Sequence, residues 1–164
     1  MKIVVSAPPA IDTGAFVADL AAQHGVTAIH DPTRALCASY SFQTLYEMPD
    51  ALEAATRVKL IEDHLAALKL PGTAVFDHSV FPWVADWMRW FWGQTTTEHW
   101  EEVVAIVKEC VSLYSEVHHI TDGPRLGYNG YTWLDRRNND QILELLGLLH
   151  LQYSATDRVK LHQL

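Results

Sequence analysis

Residues 2–21 read KIVVSAPPAIDTGAFVADLA, and this stretch decides the fold. Ile3-Val4-Val5 is a short β-branched run, the composition of a strand buried on both faces of a parallel sheet. Ser6-Ala7-Pro8-Pro9-Ala10 breaks it, since proline brings no N–H to a ladder. Phe16, Val17, Leu20 and Ala21 then recur at helical spacing, and Gly25 after His24 predicts the helix stop. The unit is strand, loop, helix.

The same rhythm continues downstream. Val26–Ile29 predicts a second strand, ending at His30-Asp31-Pro32. From Thr33 to about Leu70 the pattern is helical, interrupted at Pro49, with Asp50 opening the next helix. Pro71-Gly72 is a turn, and Thr73-Ala74-Val75-Phe76-Asp77 a third strand closed by a carboxylate. Pro82 to Trp92 reads as a helix, Thr97 caps another running to about Tyr114, and Val117–Ile120 is a fourth strand. Residues 122–137 are rich in Gly, Tyr and Arg with little periodicity, which predicts a long loop or lid. Ile142–Leu146 reads as a helix closed by Gly147, and Leu148–Tyr153 as a fifth strand. Ser154-Ala155-Thr156-Asp157 has a capping-box pattern and predicts a terminal helix. There is no repeat, low-complexity run or linker. Alternating strands and helices over residues 1–164 predict one α/β domain with a parallel sheet covered on both faces.

Bulk properties narrow the function. The net charge of −8 repels polyanions, which argues against an extended nucleic-acid surface, because Lys and Arg neutralising phosphates supply most of that affinity. The only cysteines, Cys37 and Cys110, are too far apart to pair as metal ligands and are expected as reduced core residues. The apolar run at the start is too short for a signal or a membrane span, so the expected compartment is the cytoplasm, of a bacterium or of a virus-infected cell.

Three stretches together resemble the small P-loop nucleotide and nucleoside kinases: thymidylate kinase, deoxynucleoside kinases and AAA-like ATP-binding proteins of bacteria and phages. KIVVSAPPAIDTGAFVADLA is similar to their strand, phosphate loop and helix. TAVFDHSVFPWV is similar to the strand and Asp-Arg-Ser turn of deoxynucleoside kinases, with His78 where Arg is usual. HHITDGPRLGYNGYTWLDRRNNDQILELL resembles their strand, Arg-bearing lid and following helix. The resemblance implies a three-layer α/β/α fold with five parallel strands in the order 2-3-1-4-5.

It also implies a damaged loop. The pattern G-x-x-x-x-G-K-[ST] needs glycines to wrap backbone N–H groups around phosphates, a Lys to reach the β- and γ-phosphates, and a hydroxyl for Mg²⁺. Here Ala7, Asp12, Thr13 and Gly14 stand at those four positions. A carboxylate at Asp12 would meet a phosphate charge at a cost of about 4 kcal/mol at 4 Å and an effective dielectric near 20. Mg-ATP binding in this loop is therefore not expected, and no cofactor or metal is.

Other candidates follow the same comparison. Asp77 stands where the family keeps a carboxylate, and serves chemistry, a helix cap or an Arg pair. His78 is a candidate base near neutral pH or simply a hydrogen-bonding group. Arg125, Arg136 and Arg137 in the lid, and Arg34 after the second strand, are candidates for binding phosphate or carboxylate. The alternative is surface ion pairing, with Asp135 and Asp140 close by. Trp83, Trp87 and Trp90 form one stripe of a helix, expected as core, with a homodimer seam, a protein-partner surface or base stacking as alternatives. His118 and His119 alternate faces on a strand, so they cannot hold one metal together. The leading expectation is a pseudokinase: a nucleotide- or nucleoside-binding or regulatory module without ATP hydrolysis. The competing ones are a divergent nucleotide or nucleoside transferase and a structural homo-oligomer.

Overall fold

The computed structural model describes residues 1–8, 11–91, 93, 95–124, 145–150, 152 and 156–164, without the side chains of 89–91 and 156. Five strands, β1 (Lys2–Ser6), β2 (Ala28–Ile29), β3 (Ala74–Phe76), β4 (Glu116–Asp122) and β5 (Val159–Gln163), form one sheet in the order β2-β3-β1-β4-β5. Every pairing is parallel. This is the expected α/β class and strand order, with β1 in the middle and all five of its residues buried.

Alternation along β1 divides the core. Ile3 and Val5 face helix α1 (Gly14–Gln23), packing with Val17, Leu20, Ala21, Val75 and Ile120. Val4 faces the opposite layer, with Phe76 and Val117. That layer contains α2 (Thr33–Ser39), α3 (Asp50–Lys69), α4 (Val80–Phe91), α5 (Thr97–Leu113) and α6, residues 145–150. Each fully buried Val, Leu or Phe contributes about 1.5–3 kcal/mol, so both layers hold the sheet firmly. α1 stops where Gly25 takes φ 64°, a left-handed conformation that a side chain disfavours.

Helix starts depart from the expected residues for local reasons. α4 begins at Val80, before Pro82, because the Ser79 hydroxyl accepts from the Phe81 N–H and the Tyr114 hydroxyl from the Val80 N–H. Thr96 rather than Thr97 caps α5, its hydroxyl accepting from the His99 N–H at 3.2 Å. Trp83 and Trp87 are buried in the core; the side chain of Trp90 lies outside the described residues. Cys37 and Cys110 are buried and free.

The end of the chain corrects the expectation. Residues 145–150 are helical, so Leu148-Leu149-His150 is not a strand. Leu146 and Leu149, one helical turn apart, pack one face into the core; a short continuous apolar run does not by itself tell a strand from a buried helix. Gly147 lies within this helix instead of closing it. The predicted terminal helix is absent as well: a short 3-10 turn (Thr156–Arg158) leads into β5. Among the described residues, no helix is long and apolar enough to cross a membrane.

Candidate functional site

In an open parallel sheet, ligands bind at the carboxyl ends of the strands, where neighbouring connections leave to opposite faces. Here β1 leads to α1 on one face and β3 to α4 on the other. Four candidate side chains follow the ends of these strands and of β2 in the chain: Asp12 after β1, Asp77 and His78 after β3, and His30 after β2.

The loop after β1 is closed by its own acid. Asp12 Oδ1 accepts from the Gly14 N–H at 2.9 Å, at the first turn of α1. That carboxylate takes one of the unpaired helix N–H groups, and its charge suits the positive end of the helix dipole. The loop is also tied at the back. The Asp12 N–H donates to the Pro124 carbonyl at 2.8 Å, and the Leu164 N–H to that of Asp122 at 2.9 Å. A Cβ on Gly123 would lie 3.0 Å from Leu164 Cβ and 3.1 Å from Ile11 Cγ2. Ala7 and Thr13 flank the loop, half-buried.

Asp77 follows β3 and holds two histidines. Its Oδ1 lies 2.9 Å from His78 Nδ1 and its Oδ2 2.6 Å from His30 Nδ1. From His78 a chain of contacts runs inward. His78 Nε2 is 3.1 Å from His64 Nδ1, and His64 Nε2 is 2.9 Å from the Tyr114 hydroxyl. That hydroxyl accepts from the Val80 N–H. One proton arrangement satisfies every member with neutral rings. Tyr114 donates to His64 Nε2, His64 Nδ1–H donates to His78 Nε2, and His78 Nδ1–H donates to Asp77. The reverse direction strands the Tyr114 proton and points an imidazole lone pair at the carboxylate.

The electrostatics agree. Burial pushes His64 down to about 2, the neighbouring His78 adding to it, and burial raises Tyr114 well above its ordinary value. For Asp77 burial acts upward, but hydrogen bonds from His78 and His30 outweigh it and hold the carboxyl below its usual range. His78 is buried with both ring nitrogens engaged, so neither faces the strand ends as a base would. His30 is the opposite case: its side chain is 76% exposed.

A second group lies on the α6 side of β1 and β4. His119 Nδ1 donates to the Ser6 carbonyl at 3.2 Å, and His150 Nε2 is 3.1 Å from Ser6 Oγ. Burial pushes His150 down to about 3, with His119 adding to it, and its Nδ1 has no hydrogen-bond partner among the described residues. His118 points to the other face, stacked on His162 at 5.0 Å beside Phe16. The strand does separate the two neighbouring histidines.

Arg34 is exposed in the first turn of α2; Arg125, Arg136 and Arg137, with the expected lid, lie outside the described residues. Sequence reasoning missed His30, His64, Tyr114, Ser6 and His150. Of these, only His30 carried a local signal, since it directly follows the second strand. A buried cation also went unnoticed: Arg57 is fully buried, with Glu53 at 2.6 Å and Asp86 at 3.0 Å. In comparisons with known proteins, no protein-family model matches the chain and no curated protein matches it.

Proposed function

We propose that the protein is a P-loop kinase-like domain whose phosphate loop has become a self-capped turn. It serves as a nucleotide- or nucleoside-binding or regulatory module in place of an ATP-dependent kinase. One observation carries this reading: Asp12 Oδ1 sits 2.9 Å from the Gly14 N–H, so the loop's helix N-terminus already has an anion. An incoming phosphate would lose that donor and meet a like charge. Thr13 supplies no ammonium and Gly14 no hydroxyl for Mg²⁺.

Calorimetric titration with Mg-ATP and Mg-GTP tests it. No binding is expected at sub-millimolar concentration, and the variant A7G/D12G/T13K/G14T is expected to gain it. Micromolar Mg-ATP binding by the natural chain, lost in T13A, would overturn the reading.

A second reading, a divergent nucleotide or nucleoside transferase with Asp77 and the lid arginines in its site, draws on the same strand ends. Its support is the Asp77 carboxylate, which orients an exposed imidazole. Phosphoryl transfer from a nucleoside triphosphate to a nucleoside by the natural chain would favour it.

A further inference from the structure

Nine histidines occur in the chain, and of these only His30 is exposed, its side chain to 76%. It also differs in how it is held. Its Nδ1 sits 2.6 Å from Asp77 Oδ2, whose carboxylate is 20% exposed. In the neutral ring, this contact places the proton on Nδ1 and leaves the lone pair of Nε2 toward solvent. Asp77 itself cannot swing away. Its Oδ1 takes the His78 Nδ1–H, and its own backbone N–H bonds to the Ile29 carbonyl at 3.1 Å. The carboxylate is thereby locked between the ends of β2 and β3. His24 and His99 are both half-buried, and His99 lies 3.7 Å from Glu102, beyond a hydrogen bond.

We propose that His30, positioned by Asp77, is a nucleophilic group-acceptor site for uncharged acyl donors at the carboxyl ends of β2 and β3. The proposal does not depend on the state of the phosphate loop. An imidazole with its far N–H on a carboxylate is the arrangement that orients and activates ring nitrogens in catalytic dyads. Charge selects the donor. Asp31 follows His30 directly, its Oδ1 on the Thr33 N–H, and with Asp77 it makes this edge repel phosphoryl anions. In the step itself, the Nε2 lone pair attacks an ester carbonyl carbon. The C–N bond forms, and the C–O bond breaks, its electron pair leaving with the alkoxide or phenolate. Nδ1–H stays on Asp77, whose charge steadies the acyl-imidazolium. Water then adds to the acyl carbon and the C–N bond breaks, its electron pair returning to Nε2. The carboxylic acid leaves, the second proton of the water passes through solvent to the alkoxide or phenolate, and His30 is neutral again.

The test uses two uncharged probes on the intact chain. Diethyl pyrocarbonate followed by peptide mapping is expected to modify His30 at least tenfold faster than His24 and His99. The rate at His30 should drop at least fivefold in D77N and recover in part in D77E. Steady-state release of p-nitrophenolate from p-nitrophenyl acetate should fall to the level of the chemical background in H30Q, a surface change that leaves the fold intact. Equal modification of the three histidines would overturn the proposal. So would turnover unchanged in H30Q, or a His30 rate indifferent to folded D77N. Should D77N fail to fold, the H30Q turnover alone decides.

Discussion

Nδ1 of His64 lies 3.1 Å from Nε2 of His78, and the two rings share a single proton between them in the buried layer under β3. A second proton there has nowhere to go without orphaning the Tyr114 hydroxyl.

Acid is therefore expected to unfold the protein early. In the unfolded chain these imidazoles take up protons below pH about 6.5. The folded rings of His64 and His150 stay neutral down to about 2 and about 3. Folded values lie below unfolded ones, so this stability is fully present above pH about 6.5 and is lost as pH falls beneath it. The two together give a slope of about 2.7 kcal/mol per pH unit. Urea midpoints measured at pH about 7.5, 6 and 5 check this; a flat profile would mean the rings are solvated.

Tyr114→Phe removes the hydroxyl that serves both His64 Nε2 and the Val80 N–H. Two buried polar groups lose their partner, at about 1–3 kcal/mol each. A total loss of about 2–6 kcal/mol is expected by chemical denaturation. The double variant H64F/Y114F should lose less than the sum of its single changes, since one contact is shared.

Arg57→Met leaves Glu53 and Asp86 buried without their counter-charge. Asp86 Oδ1 lacks a partner among the described residues, and the Tyr46 hydroxyl, 3.4 Å from Oδ2, is too long a contact to replace the guanidinium. The expected cost is about 3–5 kcal/mol. Replacing all three charged residues together with apolar side chains should recover most of it, and thermal unfolding of the two variants distinguishes the cases.

Gly123→Ala places a methyl group 3.0 Å from Leu164 Cβ and 3.1 Å from Ile11 Cγ2. Leu164 is partly exposed and can move aside, which limits the strain to about 1–2 kcal/mol. Calorimetry should show a drop in Tm of roughly 2–8 °C.

The strands and their order were legible where local composition and buried position agree. Ile3-Val4-Val5 and Ala74-Val75-Phe76 are apolar because both faces of the sheet are covered. β5 was not legible. Lys160, Leu161 and Gln163 are exposed on an edge strand, so Val159–Gln163 lacks the apolar run that marks its neighbours, while Ser154 upstream resembles a helix cap. In the candidate site, Asp77 could be read from its place after a strand. Its partners could not: His30 is 47 residues away and the relay ends at Tyr114, 50 residues from His64. Only the parallel register of β2 and β3 and the packing of α3 on α5 bring them together.

The Asp12 N–H bonded to the Pro124 carbonyl has a consequence in time as well as in space. An amide in an irregular segment ordinarily trades its hydrogen with water soon after the chain frays. This one is fastened beyond the end of β4, beside the contact that joins Asp122 to Leu164. Its deuterium uptake is thus set by how often those remote segments part, which makes one loop amide a clock for the opening of the sheet's far side.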